Sequence, residues 1–472
     1  MNDELHRENE TMSVPSSAEA CASHTEALCR WAAATTLADI PDAVLERAAR
    51  VLADDLAAIV GAAGEPEVAC FQEKVLARGG AQQATVFRGG RPRTERTWAA
   101  VANAVAADWL ELDEGYRVMP CHAGLYTVPA LLAEAEATNL RYGDMLRALV
   151  LGYEIVTRVA RTFTQRALNM QSHGRYCAIG AAAATALARG ADSARLLQAV
   201  TAATTLVTAS PRNHLVSGAL VRNVWPAVGA FSGMLSVEWA DCGIAGVPTG
   251  LYDVYTSVFG GEADATRLTE NLGTSWAVLD GYTKIFACCQ HLHSAVEATL
   301  GLRSSMQAQG GLDSIERIEV ETHPLALALT NATPGTSLGA KFSMPHAVAA
   351  ALVTGTGGAD AFFASTLAEP GIRMLRDKVS MRPYAPLPPA PDDRPARVRL
   401  RLRGGGVLEN ECRSAQGGPD RPFPDAVLGD KVTALTARTY PNLAPTLLPL
   451  ADAARARREG GWADLVTRIV AR

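Results

Sequence analysis

A mainly α protein, with a large all-helical domain and a smaller α+β unit, is predicted by three observations. Apolar residues recur about every 3.6 residues through most of the region from residue 25 to residue 261, which is typical of helices. Two stretches of that region, 178–188 and 230–239, consist largely of small apolar residues, which allow helices to pack closely. After about residue 279 the pattern becomes alternating, which is typical of strands.

The helices of the first domain are predicted in order along the chain. Pro41 and Asp42 open a segment in which Val44, Val51 and Leu52 share one face, with proline at a favoured early position. The same period continues in three further segments: 97–110, 128–137 and 143–159. Because no strand pattern interrupts these segments, we expect helices packed on helices here.

The α+β unit is predicted from two alternating segments, 315–322 and 396–402. Three glycines at 404–406 separate the second segment from 407–409, and this arrangement predicts a hairpin. After residue 422 the helical period returns, so the C-terminus is expected to rejoin the helical domain. The predicted parts are a disordered tail (1–24), a helical domain (25–279 with 420–472) and an α+β domain (280–419).

Composition excludes several classes of protein. The 472 residues carry a formal net charge of −5 without a basic block, which argues against a nucleic-acid-binding surface. No apolar run reaches the roughly 18 residues that span a membrane. The nine cysteines are scattered and form no CxxC pair, so we expect reduced thiols rather than a disulfide framework or a structural zinc site. The N-terminus has no apolar signal region, and a cytoplasmic protein is therefore expected.

The first candidate for chemistry is a carboxylate cluster followed by a histidine. Asp113 and Glu114 follow a predicted helix, and His122 lies on the loop before the next one. A carboxylate near a histidine can orient the imidazole and raise its basicity, which suits a general acid or base. The alternative is a solvated helix end beside a packing or capping histidine.

Two further candidates precede helices rich in small residues. His173, Arg175 and Tyr176 lie directly before the alanine-rich segment, where a cation and free backbone N–H groups favour a carboxylate or phosphate. The alternative there is a surface loop. Arg222 can grip a carboxylate through two parallel hydrogen bonds, although a single arginine is more often a surface residue.

The fourth candidate lies at the predicted domain junction. Lys284 is one of only five lysines, and it suits a substrate-anion binder or proton donor. His291 and His293 have metal-ligand spacing but no evident third ligand, so no metal site is predicted. No nucleotide-binding glycine motif or other familiar cofactor motif occurs in the sequence.

These four candidate segments, in their order along the chain, resemble the MmgE/PrpD family. That family includes 2-methylcitrate dehydratase, cis-aconitate decarboxylase and iminodisuccinate epimerase. The resemblance covers about residues 25 to 470. The matching segments are 103–124, 152–158, His173 before 180–182, Arg222 before Gly233, 284–293 and 340–348.

This resemblance implies a large helical domain with a smaller α+β lid, a homodimer, and chemistry on a small di- or tricarboxylate without a cofactor or metal. A base would remove a proton from carbon next to a carboxylate, and cationic side chains would hold the developing negative charge. The implied catalytic residues are His122, His173, Lys284 and Asp113. The implied substrate-binding residues are Glu114, Arg175, Tyr176, Arg222 and His293.

The sequence also departs from the family pattern. Gly115 stands where the family has a threonine, and Arg222 stands where it has a lysine. Ala287 replaces a proline, and Gln290 occupies a position that is often basic. These changes indicate a shifted substrate, and the share of dehydratases in the family favours a dehydratase like 2-methylcitrate dehydratase. The alternatives are a decarboxylase or epimerase of a specialised biosynthetic pathway, or a catalytically silent homologue that binds a metabolite.

Overall fold

The computed structural model describes residues 16–471, and helices dominate it. The predicted mainly α class, with a smaller α+β unit, is confirmed. The helices of the first domain are α1 (Ser17–Ala34), α2 (Asp42–Ala62), α3 (Pro66–Leu76), α4 (Arg96–Ala107), α5 (Ala123–Thr138), α6 (Tyr142–Thr162), α7 (Ser172–Ala188), α8 (Ser193–Thr204), α9 (Arg212–Val216), α10 (Trp225–Asp241) and α11 (Gly250–Tyr252). No helix within residues 16–471 is long and apolar enough to span a bilayer.

The alanine-rich helix α7 lies at the centre of this domain, packed against α5, α6 and α10. Its neighbours approach closely because the contact residues are small. A Cβ atom at Gly233 of α10 would lie 2.6 Å from the Ala178 carbonyl oxygen, and one at Gly180 would lie 2.8 Å from Cβ of Tyr126. The predicted packing of helices on helices is therefore confirmed.

Two pairs of two-residue strands lie within the helical domain, and a third pair joins it to the second unit. They are β1 (Ala84–Thr85) with β2 (Arg93–Thr94), β4 (Phe163–Thr164) with β5 (Glu262–Ala263), and β3 (Gly115–Tyr116) with β6 (Gly281–Tyr282). The last pair places the segment that precedes Lys284 against the loop that carries Asp113. It thereby brings two of the four candidate segments together.

The α+β unit is built on a four-stranded sheet of order β10-β9-β7-β8. Its strands are β7 (Ile315–Thr322), β8 (Val379–Pro383), β9 (Ala396–Leu402) and β10 (Val407–Cys412). Its helices are α12 (His293–Ala308), α13 (Pro324–Leu327), α14 (Ser337–Lys341), α15 (Met344–Thr354) and α16 (Pro370–Arg376). β9 and β10 form the predicted antiparallel hairpin, whereas β7 and β8 run parallel. Helix α12 packs on β9 and β10.

The C-terminal segment returns to the helical domain through α17 (Asp425–Thr436), which packs on α2. It continues as α18 (Leu443–Leu447), α19 (Ala453–Arg458) and α20 (Trp462–Val470). At the other end, the predicted tail requires a correction, because α1 begins at Ser17 with Ser16 as its cap. Residues 17–24 are thus helical, while the prediction for 1–15 lies outside the described residues. All nine cysteines are described, and none forms a disulfide.

Candidate active site

A cavity of about 170 Å³ lies between the helical domain and the α+β unit. Its size suits a small metabolite, because drug-sized ligands occupy pockets of roughly 300–1,000 Å³. Four residues predicted from the sequence line it: His122, Arg175, Tyr176 and Arg222. Polar residues that line it without having been predicted as site residues include Glu111, Tyr116, Arg212, Tyr282, Gln290 and Arg394.

His122 and Asp113 form a hydrogen-bonded pair at the cavity wall. Nδ1 of His122 lies 2.6 Å from Oδ2 of Asp113 and 2.9 Å from the Glu114 carbonyl oxygen. Both partners accept, which assigns the proton to Nδ1 and leaves Nε2 as the unprotonated nitrogen. The side chain of His122 is 14% exposed whereas that of Asp113 is fully buried. The geometry therefore presents an oriented imidazole to the cavity.

Lys284 neutralises the carboxylates behind this imidazole. Its Nζ lies 3.3 Å from Oδ1 of Asp113 and 3.4 Å from Oε2 of Glu111. Burial alone raises the pKa of Asp113, but Lys284 and His122 outweigh it and hold that pKa below its usual range. Burial lowers the pKa of Lys284, yet Asp113 and Glu111 raise it well above the usual value. Asp113 is thus a carboxylate, and Lys284 is an ammonium group.

Arg222 forms a second buried ion pair beside the first. Its Nη1 contacts Asp108 and lies 2.5 Å from Oε1 of Glu111. Burial raises the pKa of Asp108 to about 6, and Arg222 opposes that rise. Sequence reasoning missed Asp108, although it belongs to the same acidic run as Asp113, directly after α4. Arg222 lines the cavity, but its charge is already shared by two carboxylates.

The acidic run also places three carboxylates close enough to hold a metal ion. Oxygens of Asp108, Glu111 and Asp113 lie within 4.8 Å of one another. Arg222 and Lys284 already pair with them, and two fixed cations oppose a divalent metal at the same place. The arrangement is therefore an ion-pair network, held by a backbone that adopts a left-handed conformation at Glu111, with φ of 53°.

His173 lies behind His122 rather than on the cavity wall. Its Nε2 lies 3.3 Å from Oδ1 of Asp108, and its Nδ1 lies 3.0 Å from the hydroxyl oxygen of Tyr126. The two imidazole rings meet edge to face at 5.1 Å. Burial, followed by the charge of Arg222, lowers the pKa of His173 well below its usual value. A neutral imidazole with both nitrogens engaged orients its neighbours, and the catalytic role expected of it stays a prediction.

Glu114 and His293 are likewise buried outside the cavity lining. Oε1 of Glu114 accepts a hydrogen bond of 2.6 Å from the Gly124 amide, and Oε2 accepts one of 3.1 Å from the Tyr153 hydroxyl. Nε2 of His293 lies 3.2 Å from the carbonyl oxygen of Cys288. Each has a protein partner in the described structure. Their contact with substrate, which the resemblance implied, stays a prediction.

Arg175 and Tyr176 stand in the first two turns of α7, which begins at Ser172, so they lie within this helix and not before it as the sequence predicted. Nη2 of Arg175 donates to the Phe163 carbonyl oxygen at 3.2 Å, and the guanidinium lies over the rings of Tyr176 and Tyr255, 5.1 Å from each centroid. Its Nε is buried without a hydrogen-bond partner among residues 16–471. Arg175 thus carries a fixed positive charge at the cavity wall.

Comparison with known proteins gives matches along most of the chain. The model of the MmgE/PrpD N-terminal domain matches residues 26–262, and that of the MmgE/PrpD C-terminal domain matches residues 286–445. A cis-aconitate decarboxylase of Aspergillus terreus is 25% identical over 323 residues, which are 63% of this chain and 64% of the relative. The cis-aconitate decarboxylase-like protein oryM of Aspergillus oryzae is 24% identical over 396 residues, which are 75% of this chain and 79% of that relative. The chain therefore spans less than two thirds of the Aspergillus terreus relative.

Proposed function

Because the chain belongs to the MmgE/PrpD family, we propose that it is a lyase that transfers a proton at a carbon next to a carboxylate of a small polycarboxylate. The observation that carries the proposal is the His122–Asp113 pair, which faces a cationic cavity between the two domains. The coarser statement, a lyase-type enzyme, follows from the family and its relatives. The substrate and the reaction are the proposal.

In this proposal Nε2 of His122 is the group that moves the proton. Asp113 fixes the ring and stabilises the imidazolium that forms when Nε2 takes a proton. Lys284 keeps Asp113 ionised without touching the imidazole. A general acid or base must lie within hydrogen-bond reach of the reacting carbon. Of the two neighbouring histidines, His122 and His173, it is His122 that borders the cavity.

The charges around the cavity support a substrate with more than one carboxylate. Among the described residues that line it, Glu111 is the one acidic side chain, and Arg222 and Lys284 neutralise it. Arg175 and Arg212 also line the cavity, and neither forms an ion pair with a described carboxylate. A wall with surplus positive charge attracts a polyanion and stabilises negative charge that develops in the transition state.

Loss of carbon dioxide is the favoured outcome, since relatives matched over most of this chain are cis-aconitate decarboxylases or resemble them. The bond between the leaving carboxylate and its carbon breaks, the electron pair stays on the substrate, and a protonated His122 delivers a proton to carbon. The dehydration favoured by the sequence analysis uses the same nitrogen as a base. In that reaction a C–H proton is removed before hydroxide leaves.

Proton NMR in deuterium oxide tests the proposal. The protein is incubated with aconitate-, citrate-, succinate- and aminosuccinate-type acids, alongside His122→Ala. We expect deuterium at carbon and a decarboxylated product, with the rate reduced roughly 10²–10⁴-fold in the variant. An alkene formed from a hydroxy acid would indicate dehydration instead, and exchange without a new product would indicate an epimerase. Silence across the panel, or an unaffected His122→Ala, would overturn the proposal and favour the metabolite-binding alternative.

A further inference from the structure

We propose that Arg212, His291 and Arg394, here called the junction cluster, bind a second carboxylate of the substrate. All three residues line the cavity. Arg212 comes from α9 of the helical domain, whereas His291 and Arg394 come from the α+β unit. The inference rests on the proposed function, because it identifies the substrate as an acid whose second anionic group is recognised by side chains other than the His122–Asp113 pair.

Arg394 is the centre of the junction cluster. One terminal nitrogen donates to the side-chain oxygen of Gln290, and Nη2 donates to the Arg117 carbonyl oxygen at 3.0 Å. These two bonds hold the guanidinium plane in place across the domain junction. Its Nε is buried without a hydrogen-bond partner in the described part of the chain. Arginine has five N–H groups, so three of them remain for a ligand in a fixed orientation.

No described carboxylate forms an ion pair with Arg394. Asp393, its neighbour in sequence, pairs with Arg117 instead. An arginine cannot lose its proton in a protein, and an uncompensated buried charge is unfavourable. An anionic ligand in the cavity would supply the missing negative charge. A planar carboxylate suits the free Nε–H and an adjacent N–H, since two parallel hydrogen bonds match its two oxygens.

The two other members of the cluster add to the positive field. Nδ1 of His291 is buried and has no hydrogen-bond partner within residues 16–471. Burial, followed by Arg394, His323 and Arg212, lowers the pKa of His291 well below its usual value. Arg394 and Arg212 beside His291 make the local potential more positive. His291 can still donate or accept one hydrogen bond at Nδ1.

Binding of tricarballylate, a saturated tricarboxylate without a hydroxyl or a double bond, tests this assignment independently of turnover. Isothermal titration would compare the wild type with Arg394→Gln and Arg212→Gln. The second variant guards against misfolding, because Arg212 is only half-buried and lies on the short helix α9. We expect the dissociation constant to rise roughly 10- to 100-fold in Arg394→Gln, the range for hydrogen bonds to charged groups. Arg373→Gln, an exposed arginine of α16, is the matched control and should bind as the wild type does.

Each result decides the proposal. Unchanged affinity in both cluster variants, or no binding of tricarballylate to the wild type, would overturn it. Binding of inorganic phosphate in place of tricarballylate, with the same dependence on Arg394, would overturn the assignment to a carboxylate. Cluster-dependent binding of tricarballylate without proton exchange on any acid would uphold the junction cluster while the proposed function failed. With a turned-over substrate, Arg394→Gln should raise KM while kcat changes less.

Discussion

Gly115 and Tyr282 face each other across the strand pair that joins the two domains, and the Tyr282 ring occupies the space that a side chain at 115 would need. A Cβ atom at Gly115 would overlap Cζ and Oη of Tyr282 and lie 2.8 Å from its Cε1. The absence of a side chain at position 115, where the resemblance implied a threonine, is thus coupled to a tyrosine that lines the cavity, with its ring centroid 6.4 Å from that of His122.

The first prediction concerns this pair. Gly115→Thr should displace the Tyr282 ring and destabilise the protein by about 1–3 kcal/mol, as overpacking of a buried site does. It should also reduce activity. Combined with Tyr282→Ala, it should cost less stability than the sum of the two single changes, because the overlapping atoms are then already removed. Thermal unfolding and turnover of the two single variants and the double variant measure this coupling, and purely additive effects would contradict it.

The second prediction concerns Asp113. Asp113→Asn keeps the size of the side chain but removes the charge that orients and stabilises the His122 ring. We expect kcat to fall roughly 10²–10⁴-fold, the usual contribution of acid–base catalysis, while KM changes less. Turnover should be measured on protein whose circular dichroism matches that of the wild type. Activity within threefold of the wild type would show that the pair does not act as a unit.

The third prediction concerns Arg222, which the sequence analysis expected to grip substrate. Because it is buried against Asp108 and Glu111, Arg222→Gln should lower the free energy of unfolding by about 3–5 kcal/mol. Arg222→Lys keeps the charge and should lower the free energy of unfolding by less than Arg222→Gln does. Urea unfolding of the two variants checks this order of stabilities. Wild-type stability in Arg222→Gln, with only KM raised, would instead favour direct contact with substrate.

The fourth prediction concerns pH and the buried carboxyl group of Glu114. Burial raises its pKa from 4.5 to about 7, although the Gly124 amide and Arg47 oppose the rise. The folded state therefore binds this proton more tightly than the unfolded state does. Its contribution to stability is complete below about pH 4.5 and is lost as pH rises through about 7. Asp55, whose pKa burial and Glu114 raise well above the usual value, acts in the same direction.

Urea unfolding between pH 5 and 8 compares the wild type with Glu114→Gln, which cannot ionise. We expect the free energy of unfolding to decrease with rising pH more steeply in the wild type than in the variant. The difference between the two decreases should be on the order of 1–3 kcal/mol, since one pKa unit corresponds to about 1.4 kcal/mol. Glu73→Gln, at an exposed position, serves as the control and should follow the wild type. Parallel curves for the wild type and Glu114→Gln would contradict a raised pKa.

The sequence by itself determined the fold class and the segments that carry the site. Helical period, alanine content and strand alternation depend on neighbours a few residues apart, so the helices around α7 and the β9–β10 hairpin were predictable. The proximity of Asp113 to His122 was predictable for the same reason, because only the loop before α5 separates them.

Tertiary structure alone decided which candidates face the cavity and which charges meet. Arg222 pairs with Asp108 from a position 114 residues away, and Arg394 reaches Gln290 across 104 residues. No local pattern encodes such contacts, because they depend on how the helices and the α+β unit pack. The resemblance implied site roles for His173, Glu114 and His293, yet burial determines whether a side chain reaches a cavity, and these three are buried outside its lining.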